Sequence, residues 1–364
     1  MKIAFIGQKG IPARDGGVER YVERLALNLA LGGHKVLVYN RRGYLPDSLK
    51  EFKGVRIISL PFINNKNLAA ITHTFLACWD VVRRRVDVVH FQGVGPSLLC
   101  WLPKVLNHRV KVVTTLHSFD YYNDKWSAPA KLMLRLGEKS MSFFSDQIIV
   151  LTAKMKDYFE NKYQRSVNLI SNGADLYSET GAEQLLPWGL QTNEYFLSVS
   201  RLIRLKGLQY LIEAFKKIET SKKLVIAGDG EYLAILERLA QDDARIIFTG
   251  NQKGRALDQL YSNAYAFVQP SEMEGLSISL LEAMAHRTAC LVSDIEANLA
   301  AVGENSFNFK SQDAQDLQNK LEIMLANPEK VKEAAVANFK LAQDFTWEKI
   351  SQSVLAVYQK AIEK

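Results

Sequence analysis

The sequence predicts an α/β protein built from two doubly wound domains. Apolar runs of strand length alternate with segments of helical periodicity along nearly all of the 364 residues. Near-continuous apolar strands between helices are typical of a parallel sheet covered on both faces. Leu176 to Asn193 lacks sustained periodicity and interrupts the alternation, which then restarts. We therefore predict an N-terminal domain at residues 1–175, a second domain at 176–346, and a default ligand site in a cleft between them.

Each predicted element follows from a local pattern. In the first domain, apolar runs predict strands at Ile3–Gly7, Val36–Tyr39, Val55–Leu60, Val86–Phe91, Val110–Leu116 and Gln147–Leu151. Helical periodicity predicts helices at Gly17–Leu31, Leu68–Arg84, Pro96–Leu106, Pro129–Phe144 and Ala153–Tyr163. In the second domain the predicted strands are Phe196–Val199, Leu224–Ala227, Ile246–Phe248, Ala266–Val268 and Ala289–Val292. The helices predicted there and beyond are Gly207–Glu219, Tyr232–Ala240, Leu257–Ala264, Ser277–Ala285, Ala314–Ala326, Pro328–Ala342 and Trp347–Ile362.

The net charge of +7 is unevenly distributed. Residues 1–175 contain 26 Lys and Arg against 14 Asp and Glu, whereas residues 176–364 contain 20 against 25. A basic half suggests an anionic partner, but no nucleic-acid-binding signature accompanies the charge. Basic and bulky apolar residues are interleaved, as in Lys131-Leu-Met-Leu-Arg135 and in Trp79 with Arg83-Arg84-Arg85. We expect peripheral contact with an anionic membrane surface; the alternative is amphipathic helices with a solvated basic face.

Several features favour a cytoplasmic protein, located peripherally at the inner face of the plasma membrane if the membrane contact exists. Lys9 interrupts the opening apolar run too early for a secretory signal, and no uncharged stretch resembles a membrane span. Cys78, Cys100 and Cys290 are widely separated and odd in number, which indicates buried thiols in a reducing compartment. The sequence has neither a D-x-D motif nor a His/Cys cluster, so we expect no metal and no resident cofactor.

The most informative feature is a pair of glutamates, Glu274 and Glu282, eight positions apart. A predicted buried strand precedes them, and a predicted helix begins at Ser277 between them. Ligands of open α/β sheets bind at the carboxyl ends of the strands, and a helix N-terminus there attracts phosphate. Carboxylates accept hydrogen bonds from hydroxyls. The pair therefore suits a sugar nucleotide; the alternative is a solvated loop acid and a surface helix residue.

A basic cluster, Arg201-Leu-Ile-Arg-Leu-Lys206, lies between a predicted strand and a helix. An Arg fork with a nearby Lys can hold a diphosphate and neutralise it as it leaves, although such clusters are also common as solvated loops. A second turn, Gly228-Asp-Gly230, ends the next predicted strand, and we interpret it mainly as a turn signal.

The first predicted strand leads into a glycine-rich loop that runs from Gly7 to Gly17. Glycines let the backbone approach a ligand closely and leave N–H groups for phosphate, or they form a tight turn without a ligand. The loop lacks the G-x-G-x-x-G fingerprint, which argues against a dehydrogenase, although Arg41 could bind a phosphate. His117 follows another strand and precedes an aromatic, acidic loop that could line a sugar site, whereas His90 is interpreted as a hydrogen-bonded core residue.

In their order along the chain these residues resemble the retaining glycosyltransferases of family four, which have two facing Rossmann-like domains and use nucleotide sugars. The resemblance covers nearly the whole chain and rests on Gly16-Gly17, His117, Ser171-Asn-Gly-Ala-Asp175, Val199-Ser-Arg-Leu with Lys206-Gly207, Ala227-Gly-Asp-Gly230, Pro270-Ser271 and Glu274 with Glu282. The opening Gln8-Lys-Gly-Ile-Pro-Ala and Gly16-Gly-Val-Glu19 resemble a narrower bacterial group that includes rhamnosyltransferases of surface polysaccharide assembly.

The resemblance implies the GT-B architecture, with the C-terminal helix at 347–364 packing back on the first domain. It assigns the donor diphosphate to Arg201 and Lys206, the ribose hydroxyls to Glu282 and the hydroxyls of the donor sugar to Glu274. It also implies that His117 contacts the sugar near the reacting carbon. The donor-binding backbone that it implies consists of Gly16, Gly17, Gly228, Gly275, Leu276 and Ser277. The sequence has Leu276-Ser277 where Phe-Gly is frequent in the family, which leaves the shape of the sugar pocket open.

The implied reaction moves a sugar from a nucleoside diphosphate to a hydroxyl of a glycan or lipid-linked acceptor, with retained configuration and without a metal. The leaving phosphate itself can take the acceptor's proton, so no protein nucleophile is required. Two alternatives share the architecture: a sugar-nucleotide 2-epimerase, which needs no acceptor, and a non-catalytic nucleotide-sugar-binding protein.

Overall fold

A computed structural model of the protein describes residues 1–14, 16–46, 48–65, 68–119, 121, 126–177, 181–303 and 306–363. The chain divides into two compact units. The first unit combines Met1–Asn172 with the C-terminal segment Trp347–Lys364, and the second comprises Gly173–Thr346. Each unit is described by itself below.

The first unit is built on a largely parallel sheet. Its strands are β1 (Lys2–Ile6), β2 (Lys35–Arg41), β3 (Glu51–Phe52), β4 (Val55–Leu60), β5 (Val88–Gln92), β6 (Lys111–Leu116), β7 (Gln147–Val150) and β8 (Asn168–Leu169). Across the described residues the strand order is β3-β4-β2-β1-β5-β6-β7-β8, and β3 pairs antiparallel with β4 while the other pairs are parallel. The helices are α1 (Gly17–Leu31), α2 (Ala69–Arg83), α3 (Val94–Ser97), α4 (Leu102–Leu106), α5 (Ala128–Phe144), α6 (Ala153–Tyr163) and the C-terminal α14 (Trp347–Glu363).

The second unit contains a parallel sheet. Its strands are β9 (Tyr195–Val199), β10 (Lys223–Ala227), β11 (Ile246–Gly250), β12 (Ala266–Gln269), β13 (Cys290–Ser293) and β14 (Phe307–Phe309), in the order β11-β10-β9-β12-β13-β14 across the described residues. Its α-helices are α7 (Leu208–Lys217), α8 (Leu233–Ala240), α9 (Gly254–Ser262), α10 (Ile278–Ala285), α11 (Glu296–Val302), α12 (Ala314–Ala326) and α13 (Pro328–Ala342). Short 3₁₀ turns lie at Glu183–Trp188, Arg204–Lys206 and Gln343–Phe345.

The predicted strand and helix alternation is confirmed, with one clear correction. The predicted helix Pro96–Leu106 is two short helices, α3 and α4. Pro103 lies in the first turn of α4 and has no N–H to donate, so a helix cannot continue through it from α3. Strands β3, β8 and β14 have two or three residues each, too few to produce a periodic signal.

Interior packing explains why these segments take their observed forms. The apolar faces of the second unit's sheet and helices α7, α8, α12 and α13 form one core, which includes Phe196, Phe215 and Leu321. In the first unit, α14 packs on α1 through Trp347 and Tyr21, whose ring centroids lie 5.9 Å apart. In the described part of the chain, no helix is long and apolar enough to cross a membrane.

The cysteines and His90 take the places expected from the sequence. All three cysteines are buried and free, and burial raises the pKa of the Cys100 thiol to about 11. His90 is buried, with Nδ1 2.7 Å from the Tyr358 hydroxyl and Nε2 2.6 Å from Thr115 Oγ1. The prediction of a hydrogen-bonded core histidine is therefore confirmed.

The strand orders fix where ligands can bind. In each unit, consecutive strands depart in opposite directions from a central pair: β1 and β5 in the first unit, β9 and β12 in the second. Crevices at the carboxyl ends of such pairs are the general ligand sites of open α/β sheets. The loops after these strands are therefore the first places to search for function.

Candidate active site

In the second unit, Lys206 and Glu274 form an ion pair at the switch point, the carboxyl end of the central strand pair β9 and β12. Lys206 follows β9, and Glu274 follows the neighbouring strand β12. Lys206 Nζ lies 2.5 Å from Glu274 Oε1, and the side chains are 20% and 11% exposed. This places a cation and a carboxylate, both still reachable by a ligand, at the carboxyl edge of the sheet. The alternative of a fully solvated loop acid is wrong for Glu274.

A glycine brings these two loops together. Gly207 has φ +68°, and a Cβ built on it would lie 1.9 Å from the Pro270 carbonyl oxygen. The backbone of the β9 loop therefore rests directly on the β12 loop. The N–H of Glu272 donates to the Leu205 carbonyl at 2.9 Å, and the Gln209 amide donates to Glu272 Oε1 at 3.2 Å. These links fix Lys206 beside Glu274.

The two carboxylate oxygens of Glu274 have different surroundings. Oε1 accepts hydrogen bonds from Lys206 Nζ, from Ser271 Oγ at 2.7 Å and from Gln269 Nε2 at 3.4 Å. Within the described residues no donor contacts Oε2. One oxygen therefore fixes the carboxylate in place, and the other is available to accept bonds from ligand hydroxyls.

The same network caps helix α10. Ser277 is the N-cap residue, and its hydroxyl accepts from the Leu280 N–H at 3.3 Å and donates to Gln269 Oε1 at 3.0 Å. Gln269 also donates to Asn298 Oδ1 at 3.2 Å. The N–H groups of Gly275 and Ser277 have no acceptor in the described part of the chain. Together with the positive end of the α10 dipole, they offer a place for an anion.

Glu282 lies on α10 and is 4% exposed, so the reading of an ordinary surface helix residue is wrong. Its Oε2 accepts from the Tyr261 hydroxyl at 3.2 Å. Its role in ribose binding stays a prediction. Leu276, which is buried just before the N-cap of α10, contributes an apolar wall at this position.

Arg201 and Gly228 lie near the carboxyl ends of β9 and β10. The Arg201 side chain is exposed and makes no ion pair or hydrogen bond with a described residue. A Cβ on Gly228 would lie 1.9 Å from the Ser200 carbonyl oxygen. Close backbone packing therefore accounts for this glycine, and its donor-binding role stays a prediction.

His117 lies in the first unit, directly after β6. Its Nε2 donates to Gln92 Oε1 at 2.8 Å, and its ring meets Tyr21 edge to face at a centroid distance of 5.0 Å. Because Nε2 carries the proton, Nδ1 of the neutral ring presents a lone pair. Burial lowers the pKa of His117 to about 4, so the imidazole is neutral at pH 7.

Gly16 and Gly17 form the start of α1, beside the end of β1. Gly16 has φ +91°, and a Cβ there would lie 2.3 Å from Glu19 Oε2. Glu19 Oε1 in turn accepts from the Lys9 N–H at 2.9 Å. The glycine thus leaves room for a carboxylate that organises the loop, and the donor-binding role of Gly16 and Gly17 stays a prediction.

The sequence did not predict which residues orient the side chains of Glu274 and His117. Ser271 and Gln269 orient Glu274, and Gln92 orients His117. Ser277 before an apolar helix was a readable N-cap signal, whereas Gln92 inside a buried strand had none. In the loop that follows His117, Asp120 and residues 122–125 lie outside the described residues. No three His, Cys, Asp or Glu side chains of the described residues come together as metal ligands.

Two sequence profiles match the chain, one for each part. The profile described as Glycosyltransferase Family 4 matches residues 15–177. The profile described as Glycosyl transferases group 1 matches residues 187–340. The chain therefore belongs to the family-four glycosyltransferases.

Curated relatives match over most of their length. An uncharacterized glycosyltransferase of Methanocaldococcus jannaschii is 27% identical over 337 residues, covering 81% of both chains. The alpha-monoglucosyldiacylglycerol synthase of Streptococcus pneumoniae is 24% identical over 356 residues, covering 89% of this chain and 80% of that protein. The UDP-Gal:alpha-D-GlcNAc-diphosphoundecaprenol alpha-1,3-galactosyltransferase of Escherichia coli is 26% identical over 294 residues, covering 75% and 74%.

Solved structures confirm the fold. Sucrose-phosphate synthase from Thermosynechococcus elongatus superposes with a TM-score of 0.85 at 23% identity, covering 100% of this chain and 99% of that one. HepE from Anabaena, in complex with UDP-glucose, gives a TM-score of 0.83 at 19% identity and covers 99% of each chain. The two α/β units thus have the GT-B fold.

Proposed function

We propose that the protein is a retaining, metal-independent glycosyltransferase that moves a sugar from a nucleoside diphosphate to a hydroxyl of a lipid-linked or glycan acceptor. The observation that carries the proposal is the Lys206–Glu274 pair at the switch point of the second unit. A cation for a diphosphate and a carboxylate for sugar hydroxyls are the two groups that a sugar nucleotide requires.

The cations and the helix stabilise the leaving group. Cleavage of the glycosidic bond places negative charge on the diphosphate. Lys206 has three N–H donors, so it can keep its bond to Glu274 Oε1 while it contacts a phosphate oxygen. Arg201, which has no ion pair in the described part of the chain, supplies a second cation. The N–H groups at the start of α10 add fixed dipoles, which need no reorganisation during the reaction.

The carboxylate and the histidine position the sugar. Glu274 Oε2 accepts from the hydroxyls of the donor sugar, and Glu282 accepts from the ribose hydroxyls. The neutral ring of His117 contacts the sugar near the reacting carbon. A neutral imidazole suits this position because it adds no repulsion to the positive charge that develops on the sugar ring.

The relatives support the class of substrates. HepE was solved with UDP-glucose bound, and the E. coli relative is named for a UDP-Gal donor and a diphosphoundecaprenol acceptor. The S. pneumoniae relative is named for a glucosyldiacylglycerol. We place this protein in bacterial surface polysaccharide assembly at the cytoplasmic face of the membrane, which also agrees with the resemblance of Gln8–Glu19 to rhamnosyltransferase-type enzymes.

Two measurements in sequence test the proposal. A thermal-shift screen against UDP-, GDP- and dTDP-linked sugars identifies the donor, because a bound ligand raises the melting temperature with its concentration. Product analysis with that donor follows, with and without a glycan or lipid-linked acceptor. A transferase forms a glycoside and releases nucleoside diphosphate only when the acceptor is present. If the donor is α-linked, a retaining transferase forms an α-glycoside. Release of an epimerised sugar nucleotide without acceptor would identify an epimerase. Binding of the donor without any turnover would identify a non-catalytic protein.

A further inference from the structure

An apolar groove opens in the first unit, at the carboxyl edge of its sheet. It has a volume of about 520 Å³ and is lined mainly by Pro61, Phe62, Ile63, Ile71, Phe75 and Leu76. Pro61–Ile63 follow β4, and the other residues lie on α2. Ile63 and Phe75 are 54% and 50% exposed, so the groove is open to solvent.

The groove has almost no polar groups to offer a ligand. The hydroxyl of Thr72, which also lines it, accepts from the Ile63 N–H at 3.1 Å and donates to the Leu68 carbonyl at 2.9 Å. Between Pro61 and Trp79 the sequence contains no Asp or Glu. A groove of this composition recognises a hydrocarbon chain, because only burial of apolar surface can stabilise the complex.

The side chain of Arg41 lies beside the groove. The Arg41 guanidinium carbon is 5.8 Å from the ring centroid of Phe62. Arg41 Nε is buried without a hydrogen-bond partner in the described part of the chain, and no described carboxylate forms an ion pair with this side chain. Burial lowers the pKa of Arg41, and the Glu19 carboxylate, which is already hydrogen-bonded to the Lys9 N–H, opposes this effect. An anion held by Arg41 would complete its hydrogen bonds.

The apolar surface continues along α2 to a second cation. Thr72, Leu76, Trp79 and Arg83 are spaced three or four residues apart and so share one face of the helix. Trp79 is 47% exposed, and the Arg83 guanidinium carbon lies 5.5 Å from its ring centroid. Exposed hydrocarbon flanked by cations is complementary to an anionic amphiphile.

We propose that this groove binds the hydrocarbon chain of a phosphorylated lipid acceptor, with Arg41 holding the phosphate. The inference rests on the proposed function and specifies its acceptor class. Arg41 ends β2 and His117 follows β6, three strand positions away, which is a separation of about 14 Å along the sheet edge. The accepting hydroxyl therefore belongs to a sugar carried on the phosphate, at some distance from the phosphate itself.

The test uses dodecyl phosphate, dodecyl glucoside and inorganic phosphate, titrated into the full chain by calorimetry below the critical micelle concentrations. We expect dodecyl phosphate to bind more tightly than dodecyl glucoside, and inorganic phosphate to bind much more weakly than either. Phe75→Asp should weaken both amphiphiles by about tenfold or more, because it places a carboxylate in the apolar groove. Arg41→Gln should weaken dodecyl phosphate by about tenfold and leave dodecyl glucoside unchanged.

The matched control is Val336→Asp, on α13, where the wild-type side chain is 68% exposed and does not line the groove. It should bind both amphiphiles as the wild type does. An equal loss in Val336→Asp and Phe75→Asp would show adsorption to any apolar surface and would overturn the proposal. Inorganic phosphate binding as tightly as dodecyl phosphate would overturn it in favour of a free-anion site. If Phe75→Asp does not fold, Ile63→Asp tests the same wall.

The two proposals can fail separately. The melting-temperature shift caused by the sugar-nucleotide donor should persist in the groove variants, since their substitutions lie in the first unit and the donor groups in the second. If the donor raises the melting temperature normally but the wild type binds neither amphiphile, only the proposal of a lipid-binding groove is overturned. Amphiphile binding as predicted without any donor shift would instead overturn the proposed transferase.

Discussion

The carboxyl edges of the two sheets hold polar groups in different ways. In the second unit, Lys206 and Glu274 are ionised groups paired with each other, and Ser271 and Gln269 fix the carboxylate. In the first unit, His117 is a neutral ring held by an amide, and Arg41 lies against an aromatic ring without an ion pair in the described residues. The comparison teaches that the second unit's edge is arranged before ligand arrives, whereas the first unit's cation has no ion-pair partner among the described residues.

The largest expected effect tests how the second edge is assembled. Gly207→Ala would place a Cβ 1.9 Å from the Pro270 carbonyl oxygen at φ +68°, so the two loops must separate. We expect a loss of about 4 kcal/mol or more in the free energy of unfolding of the second unit, measured by urea denaturation.

The first unit offers a control with the same backbone geometry. Gly33 has φ +81°, but a Cβ there would have no heavy atom within 4 Å. Gly33→Ala should therefore cost only about 1–2 kcal/mol, the penalty of the left-handed conformation alone. Equal losses in the two variants would mean that contact with Pro270 does not matter.

The next prediction concerns the cation of the paired edge. Lys206→Ala should lower turnover at saturating donor by on the order of 100-fold or more, as when one charge-stabilising donor is removed from a transition state. Lys217→Ala provides the control, because Lys217 is half-exposed on α7 and pairs only with Glu213 in the described residues, at 3.0 Å. Near-normal turnover of Lys206→Ala would remove this residue from the mechanism.

Local patterns were sufficient to predict most of the fold and the elements that carry the site. The bounds of α1, α6 and β4 match those predicted, because apolar periodicity and strand length are local properties. Glu274 could be placed in a loop after a strand for the same reason. Its contact with Lys206, 68 positions away in sequence, could not be predicted, because it depends on β9 and β12 being neighbours.

The apolar groove and the hydrogen bond from His117 to Gln92 could not be predicted from the sequence for a related reason. Phe62, Phe75 and Leu99 line one groove because β4 ends, α2 begins and the segment after β5 lies at the same edge of the sheet. Gln92 lies in an apolar strand, and its sequence context is that of any buried polar residue. Its contact with His117 depends on β5 pairing with β6, the strand that ends just before His117. Tertiary adjacency, which periodicity does not encode, therefore separates what could be predicted from what could not.

A third prediction changes the neutral edge into a charged one. In Gln92→Glu a carboxylate would accept the His117 Nε2 hydrogen bond and stabilise the imidazolium. The pKa of His117, lowered by burial to about 4, should then rise by about one unit or more. An NMR titration of the His117 ring measures this pKa directly.

The control for that titration is Gln92→Leu, which removes the acceptor and adds no charge. Its His117 pKa should stay at or below the wild-type value, because burial of the ring continues to disfavour the imidazolium. Folded Gln92→Glu protein with an unshifted His117 pKa would show that the hydrogen bond seen at 2.8 Å is not maintained in solution.

The smallest expected effect concerns the cap that joins Glu274's network to α10. Ser277→Ala removes the acceptor of the Leu280 N–H and the donor to Gln269 Oε1, and should cost about 1 kcal/mol of stability in urea denaturation. Ser277→Gly should lose less stability, since glycine is much better tolerated than alanine at an N-cap. Because Gln269 also bonds Glu274 and Asn298, KM for the donor should rise in both variants while their stabilities differ. A KM that followed the loss of stability would mean that Ser277 acts only as a helix cap, with no part in orienting the carboxylate.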